Sequence, residues 1–169
     1  MDMDPQQGGQ QRDQIANAML DALYGPMLPQ VKRILQQQPD APQDAIGRVV
    51  AQLMLTTWQA LSDQGSTVPP GVMIQAAMIA AQSVGEMAVK MGLLPEQGNG
   101  EPIEAGFMIA LGQFGQATAQ DMSPSQRARF RELIEGMREA KGRTQQGGGQ
   151  APAQRPQPQQ APRDPQGGA

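Results

Sequence analysis

The sequence predicts an all-α fold, a bundle of five to six helices with disordered N- and C-terminal tails. Three observations carry this prediction. Between about Arg12 and Lys141 the apolar residues recur at helical spacing. No stretch alternates apolar and polar residues as a half-buried strand would. The two ends are too poor in apolar residues to fold: residues 143–169 hold 8 Gln, 5 Pro, 5 Gly and 4 Ala, with no Val, Ile, Leu, Met or aromatic side chain. Burial there cannot offset the entropy of ordering the backbone. The expected organisation is a tail over 1–11, a helical domain over 12–142 and a Gln/Pro/Gly-rich tail over 143–169.

Each element follows from its own pattern. In Arg12–Tyr24, Ile15, Met19 and Leu23 lie on an i, i+4, i+8 line with Leu20 beside it, and Gly25-Pro26 ends the segment. A short helix over Leu28–Gln37 places Val31, Ile34 and Leu35 on one face. Asp40-Ala41-Pro42-Gln43 reads as a helix start, with Asp40 accepting from the first free amides and Pro42 where no amide is needed. The helix over 41–64 carries one apolar stripe, Ile46, Val49, Val50, Leu53, Met54, Thr57, Trp58 and Leu61, stopped by Gly65.

Val68-Pro69-Pro70-Gly71 opens a helix over 70–91, stopped at Gly92. Its apolar residues, among them Met73, Ile74, Met78, Ile79, Val84 and Met87, surround it on several faces, and its charges are Glu86 and Lys90. A helix apolar on most sides is central to a bundle or meets something less polar than water. A membrane span is disfavoured by Gln75, Gln82 and Ser83 within the run and by the two charges at its end. Ala77, Ala81 and Gly85 make a small-residue ridge at i, i+4, i+8. With Met73 and Met87 they form the expected self-association surface, because small residues admit close approach and Met adapts to irregular neighbours.

After the loop 95–100, Glu101-Pro102 starts a helix with Ile103, Phe107, Leu111 and Phe114 facing the core. Its Gly106, Gly112 and Gly115 each cost about 1 kcal/mol against Ala in an isolated helix. Ser123-Pro124-Ser125-Gln126 is a capped start, with Ser at the cap and Gln three residues on. Phe130, Leu133, Ile134 and Met137 give this last helix an apolar face, and Gly142 closes it.

Composition excludes much chemistry. The chain of 169 residues has no Cys and no His, which removes disulfide scaffolds, zinc fingers, thiol nucleophiles and His-based triads. Only five residues are aromatic, so Leu, Ile, Val, Met and Ala must build the core. Net charge is −3, so no global basic field draws the chain to nucleic acid as a specific ligand. Residues 143–169 are locally basic, with three Arg against one Asp. The acidic N-terminus has no apolar run, so no signal peptide is expected.

The candidate chemical groups have structural explanations. Glu101 and Glu104 sit where a helix start favours acids. Gly98-Asn99-Gly100 lacks the third Gly and the preceding strand of a dinucleotide fingerprint and reads as a turn. No metal, cofactor or catalytic residue is expected, and the chain is read as a non-enzyme. Arg127, Arg129 and Arg131, near the start of the last helix, are the candidate partner-facing cations. Expected Arg131–Glu135 and Glu135–Arg138 pairs would make the same helix a solvated, salt-bridged face.

The stretch Ala45–Gln64, Gly65-Ser66-Thr67-Val68-Pro69-Pro70-Gly71 and Val72–Leu94 resembles small helical structural proteins of tailed bacteriophages. The resemblance spans about residues 45–94 and implies a non-enzymatic virion component. Within that class it is similar to ejection proteins, which leave the capsid with the genome. The resemblance implies a homo-oligomer, contact with other virion proteins and with the host envelope membrane, and residence in the virion and, during assembly, the host cytoplasm. From another class, the charged last helix would suit a soluble scaffold or adaptor that assists assembly.

Overall fold

The computed structural model describes residues 5–147 and contains six α-helices and, among the described residues, no strand: α1 (Pro5–Tyr24), α2 (Leu28–Gln37), α3 (Pro42–Asp63), α4 (Pro70–Lys90), α5 (Gly100–Ala117) and α6 (Pro124–Gly147). The all-α fold follows the apolar spacing closely. Ile15, Met19 and Leu23 of α1 are buried, as are Val31 and Leu35 of α2 and the α3 stripe from Ile46 to Thr57. The chain divides into two units, Met1–Glu135 and Gly136–Ala169, the division falling within α6.

Glycine stops act through backbone geometry. Gly65 and Gly92 both have φ of 74°, the left-handed region open to a residue without Cβ. Around Gly65, its own amide donates to the Ser62 carbonyl and the Ser66 amide to that of Leu61. Around Gly92, the matching bonds run to Val89 and, from Leu93, to Ala88. Each stop therefore satisfies two carbonyls that a helix end otherwise leaves unpaired.

α3 and α5 form the most extensive helix pairing, and glycine sets its depth. A methyl group at Gly47 would lie 2.6 Å from Ile109 Cγ2 and 3.0 Å from the Gly106 carbonyl oxygen. One at Gly106 would lie 2.7 Å from Ile46 Cγ2 and 3.0 Å from the Gln43 carbonyl oxygen. The two helices thus exchange an isoleucine for a glycine in both directions. α4 packs on α1, α3 and α5, which is why it is apolar on most sides. It is the one helix among the described residues long and apolar enough to cross a membrane, yet 61% of its most apolar window is buried inside the protein.

Several boundaries differ from the sequence reading. α1 starts at Pro5, so residues 5–11 of the expected tail are helical. The half-buried Gly8 and Gly9 line a groove with Pro70 and Gly71, and the Gln11 side-chain amide donates to the Thr67 carbonyl at 3.3 Å. The glycine-containing first turn thus leads into a segment tied to the α3–α4 connection through Gln11. α6 likewise continues to Gly147, five residues into the expected C-terminal tail. The rest of both tails, residues 1–4 and 148–169, lies outside the described residues. The cap of α3 is Ala41, with no side-chain bond, so Asp40 does not take the expected role.

Two Gly→Ala changes on α5 should have opposite signs. Gly106→Ala should lower the unfolding free energy by about 1–3 kcal/mol, because the new methyl meets a branched carbon and a carbonyl that cannot simply swing away. Gly112→Ala, exposed and with nothing near, should raise it by up to about 1 kcal/mol. Urea unfolding followed by far-UV circular dichroism measures both.

Candidate functional site

The residues expected to form a self-association ridge lie inside the chain. Met73, Ala77, Ala81 and Met87 are all buried, and Gly85 is buried with them. A Cβ on Gly85 would run into Ile103 of α5, so this part of the ridge is occupied by the protein's own next helix. In place of the exposed ridge the sequence suggested, these small residues lie inside the chain and join α4 to its neighbours. Close-packing residues look alike in sequence whether the helix they receive belongs to the same chain or another.

The outer side of α4 is different. Gln75, Gln82 and Glu86 are exposed, and Met78 and Ile79 lie among them, 48% and 37% exposed. With Tyr24 these are the exposed large hydrophobic residues among the described part of the chain. Past Gln82 this face enters a groove of about 350 Å³ whose lining includes Glu86, Lys90, Glu96 and Asn99. The Asn99 side-chain amide donates to the carbonyls of Pro95 and Glu96, 3.0 and 3.2 Å away, and so holds the loop that carries Glu96. Gly98, with φ of 73°, completes that loop as the turn read from sequence.

α6 starts with the reciprocal cap expected from its sequence. The Gln126 amide donates to Ser123 Oγ at 3.2 Å, and the Ser123 amide donates to Gln126 Oε1 at 3.0 Å. Its entry is fixed by aromatic contacts. Phe130 is buried, with its ring centre 5.7 Å from Phe114, which meets Trp58 edge-on at 6.4 Å and 82°. The Phe130 ring lies over Gly115, where a Cβ would be 2.9 Å from Cε1. Three of the five aromatic residues thus join α3, α5 and α6.

The three candidate cations have three different surroundings. Arg127 Nη1 donates to the Ala119 carbonyl oxygen at 2.9 Å, beyond the C-terminus of α5, where positive charge is favoured. Arg129 pairs with Glu132 at 2.8 Å and lines a groove of about 400 Å³ with Arg12 and the start of α4. Arg131 is exposed, and the expected pair with Glu135 is not among the ion pairs of the described residues. Arg127 is thus structural, Arg129 partly neutralised and Arg131 open to solvent.

Beyond Phe130 the apolar stripe of α6 is incompletely covered: Leu133, Ile134 and Met137 are each half-buried. α6 holds six basic residues against three acidic ones, whereas residues 5–123 hold five basic and ten acidic. The result is a basic amphipathic helix on an acidic protein.

An open cleft of about 670 Å³ lies at the C-terminal end of α3 and includes Trp58, Ser62, Asp63, Thr67 and Asp121 in its lining. No group of three or more Asp or Glu suited to holding a metal ion occurs among the described residues. No protein-family model, curated protein or solved structure matches the chain.

The new placement of the ridge changes what its substitution should do. Gly85→Ala should cost about 1–3 kcal/mol of stability through overpacking against Ile103. Gln82→Ala, one turn away on the exposed side, should stay within about 0.5 kcal/mol. Thermal unfolding checks the contrast; a ridge reserved for a second copy would give a change in sedimentation without loss of stability. Ser123→Ala removes the first half of the α6 cap and should cost about 1 kcal/mol, read in the same melts.

Proposed function

We propose that this chain is a non-enzymatic structural protein of a tailed-bacteriophage particle, of the ejection type, and that it acts by association through its surfaces. The observation that carries the associative part is α6: a capped amphipathic helix whose Leu133, Ile134 and Met137 are half covered and whose charge is opposite to that of the acidic residues 5–123. Apolar residues left half covered beside unlike charge are what a docking helix presents. The particle setting rests on the resemblance over residues 45–94.

Two physical features suit passage through a narrow conduit. Without cysteine, no disulfide can lock the chain. Helices α3, α4 and α5 are interrupted by glycine and gain their stability from packing on each other. Such helices separate and re-form without covalent change. The same α6 also favours a second reading, a soluble scaffold or adaptor that docks on an assembly partner through this helix.

Mass spectrometry of purified particles separates the two readings. A virion component should be present at several copies per particle and should leave with the genome on triggered release. Detection in procapsids or lysate, with mature particles empty of it, would overturn the virion reading in favour of the assembly factor.

A further inference from the structure

The cleft at the C-terminal end of α3 has an aromatic wall and charge of a single sign. Its volume, about 670 Å³, lies within the range of about 300–1,000 Å³ common to small-molecule sites. All its described lining residues belong to Met1–Glu135. Trp58 is half-buried there, its ring held by the fully buried Phe114 at 6.4 Å and 82°. Asp63 ends α3 and Asp121 stands in the α5–α6 connection; both are exposed. Neither carboxylate takes part in an ion pair or hydrogen bond among the described residues. No Lys or Arg is among the described residues lining the cleft, and Arg127 is turned to the Ala119 carbonyl.

We propose that this cleft binds a short alkyl diammonium ion, its hydrocarbon chain against Trp58 and its two ammonium groups at Asp63 and Asp121. The inference goes beyond the associative role above and does not involve the apolar stripe of α6.

Three features select positive charge separately. An indole ring attracts a cation through its electron-rich face, more strongly than the other aromatic side chains do. The last turn of α3 lines the cleft, and a helix end of this polarity favours cations. The two carboxylates accept charge-assisted hydrogen bonds, and two of them on separate segments match two charges on one flexible chain. Each ammonium has three donors, and the hydroxyls of Ser62 and Thr67 supply further acceptors beside the carboxylates. The Thr67 carbonyl is already engaged by Gln11, and Gln126 Oε1 by the Ser123 amide, so neither atom is counted.

Other ligand classes suit the cleft less well. An anion would be repelled, and a neutral polyol would leave both carboxylates uncompensated. A hard divalent ion prefers several oxygen ligands at one point, and no group of three Asp or Glu occurs among the described residues. Because the cleft is open and its carboxylates are exposed, each contact is weak, and the expected Kd is about 1 mM.

Trp58 is the only tryptophan of the chain, so its fluorescence reports on this cleft. The test titrates the full chain with putrescine at fixed ionic strength, with calorimetry in parallel to register binding that leaves the fluorescence unchanged. Saturable binding is expected. Butylamine, with one charge on the same carbon chain, should bind about two- to fivefold more weakly. Asp63→Asn and Asp121→Asn should each weaken putrescine by about the same factor and narrow its advantage over butylamine. Trp58→Leu should cost about two- to fivefold by calorimetry, and Trp58→Phe less, because a ring remains. Glu86→Gln removes the same charge from the outer face of α4 and should leave the Kd unchanged. The aspartates are exposed, so far-UV circular dichroism should show their variants folded.

No saturable putrescine binding by either measurement up to about 10 mM, tenfold above the expected Kd, overturns the proposal. Equal weakening by Glu86→Gln would reduce the effect to general attraction by an acidic surface and overturn it as well. So would equal affinity for butylamine, or displacement of putrescine by an equal concentration of magnesium. A saturable response to N-acetylglucosamine in place of putrescine would assign the cleft to a sugar and overturn it too.

Discussion

The rest of the structure depends on the close approach of α3 and α5 at Gly47 and Gly106. Ile109 lies over the first glycine and Ile46 over the second, so each backbone comes within contact of a side chain normally held off by a Cβ. The depth reached there sets where the other side chains of α5 lie. Ile103 then meets Gly85 of α4, and Phe114 stands between Trp58 and Phe130. A core with so few aromatic residues has little bulk to fill space. The close approach at Gly47 and Gly106 fills space by drawing the helices together.

The same constraint explains α4. Buried alanines, Gly85 and two buried methionines let it contact α1, α3 and α5 at once. Its hydrophobicity is that of a central helix with one narrow outward strip, and the polar residues Gln75, Gln82 and Glu86 mark where that strip runs. Met78 and Ile79 interrupt the polar strip. Both stay substantially exposed, and they set this surface apart from an ordinary solvated helix face.

Much of the fold was legible because its signals are local. The i, i+4 lines of α1 and the long stripe of α3 need only helical geometry. Gly65, Gly92 and the Ser123–Gln126 cap act within a few residues, and their hydrogen bonds form as the spacing predicts. What was not legible depends on partners distant in sequence. The Gly8-Gly9 turn is helical and lines a groove with the start of α4, close to the Gln11 bond to the Thr67 carbonyl, and nothing within residues 1–11 signals that neighbourhood. The Ala77, Ala81 and Gly85 ridge shows in sequence that something packs closely, but the identity of the packing helix is a tertiary fact. The α5 glycines were legible as a local cost; only the packing shows that Gly106 and Gly115 receive side chains while Gly112 does not. The cation surface was legible as a cluster, yet its division among Arg127, Arg129 and Arg131 depends on where the end of α5 falls.

That division carries the electrostatic argument one step further. An arginine near a helix start opposes the dipole, and α6 offsets this for Arg127 by sending it to the carbonyl of Ala119, past the end of another helix. Arg129 is offset by Glu132 within α6. Further along, the carboxylates of α6 number half its cations, so the helix cannot neutralise itself. Solvent screens such an excess cheaply while the helix stands alone, and a surface of opposite sign gains from it only at short range. The half-buried Leu133, Ile134 and Met137 lie on this same helix, so its uncompensated charge and its incompletely covered apolar side chains occur together.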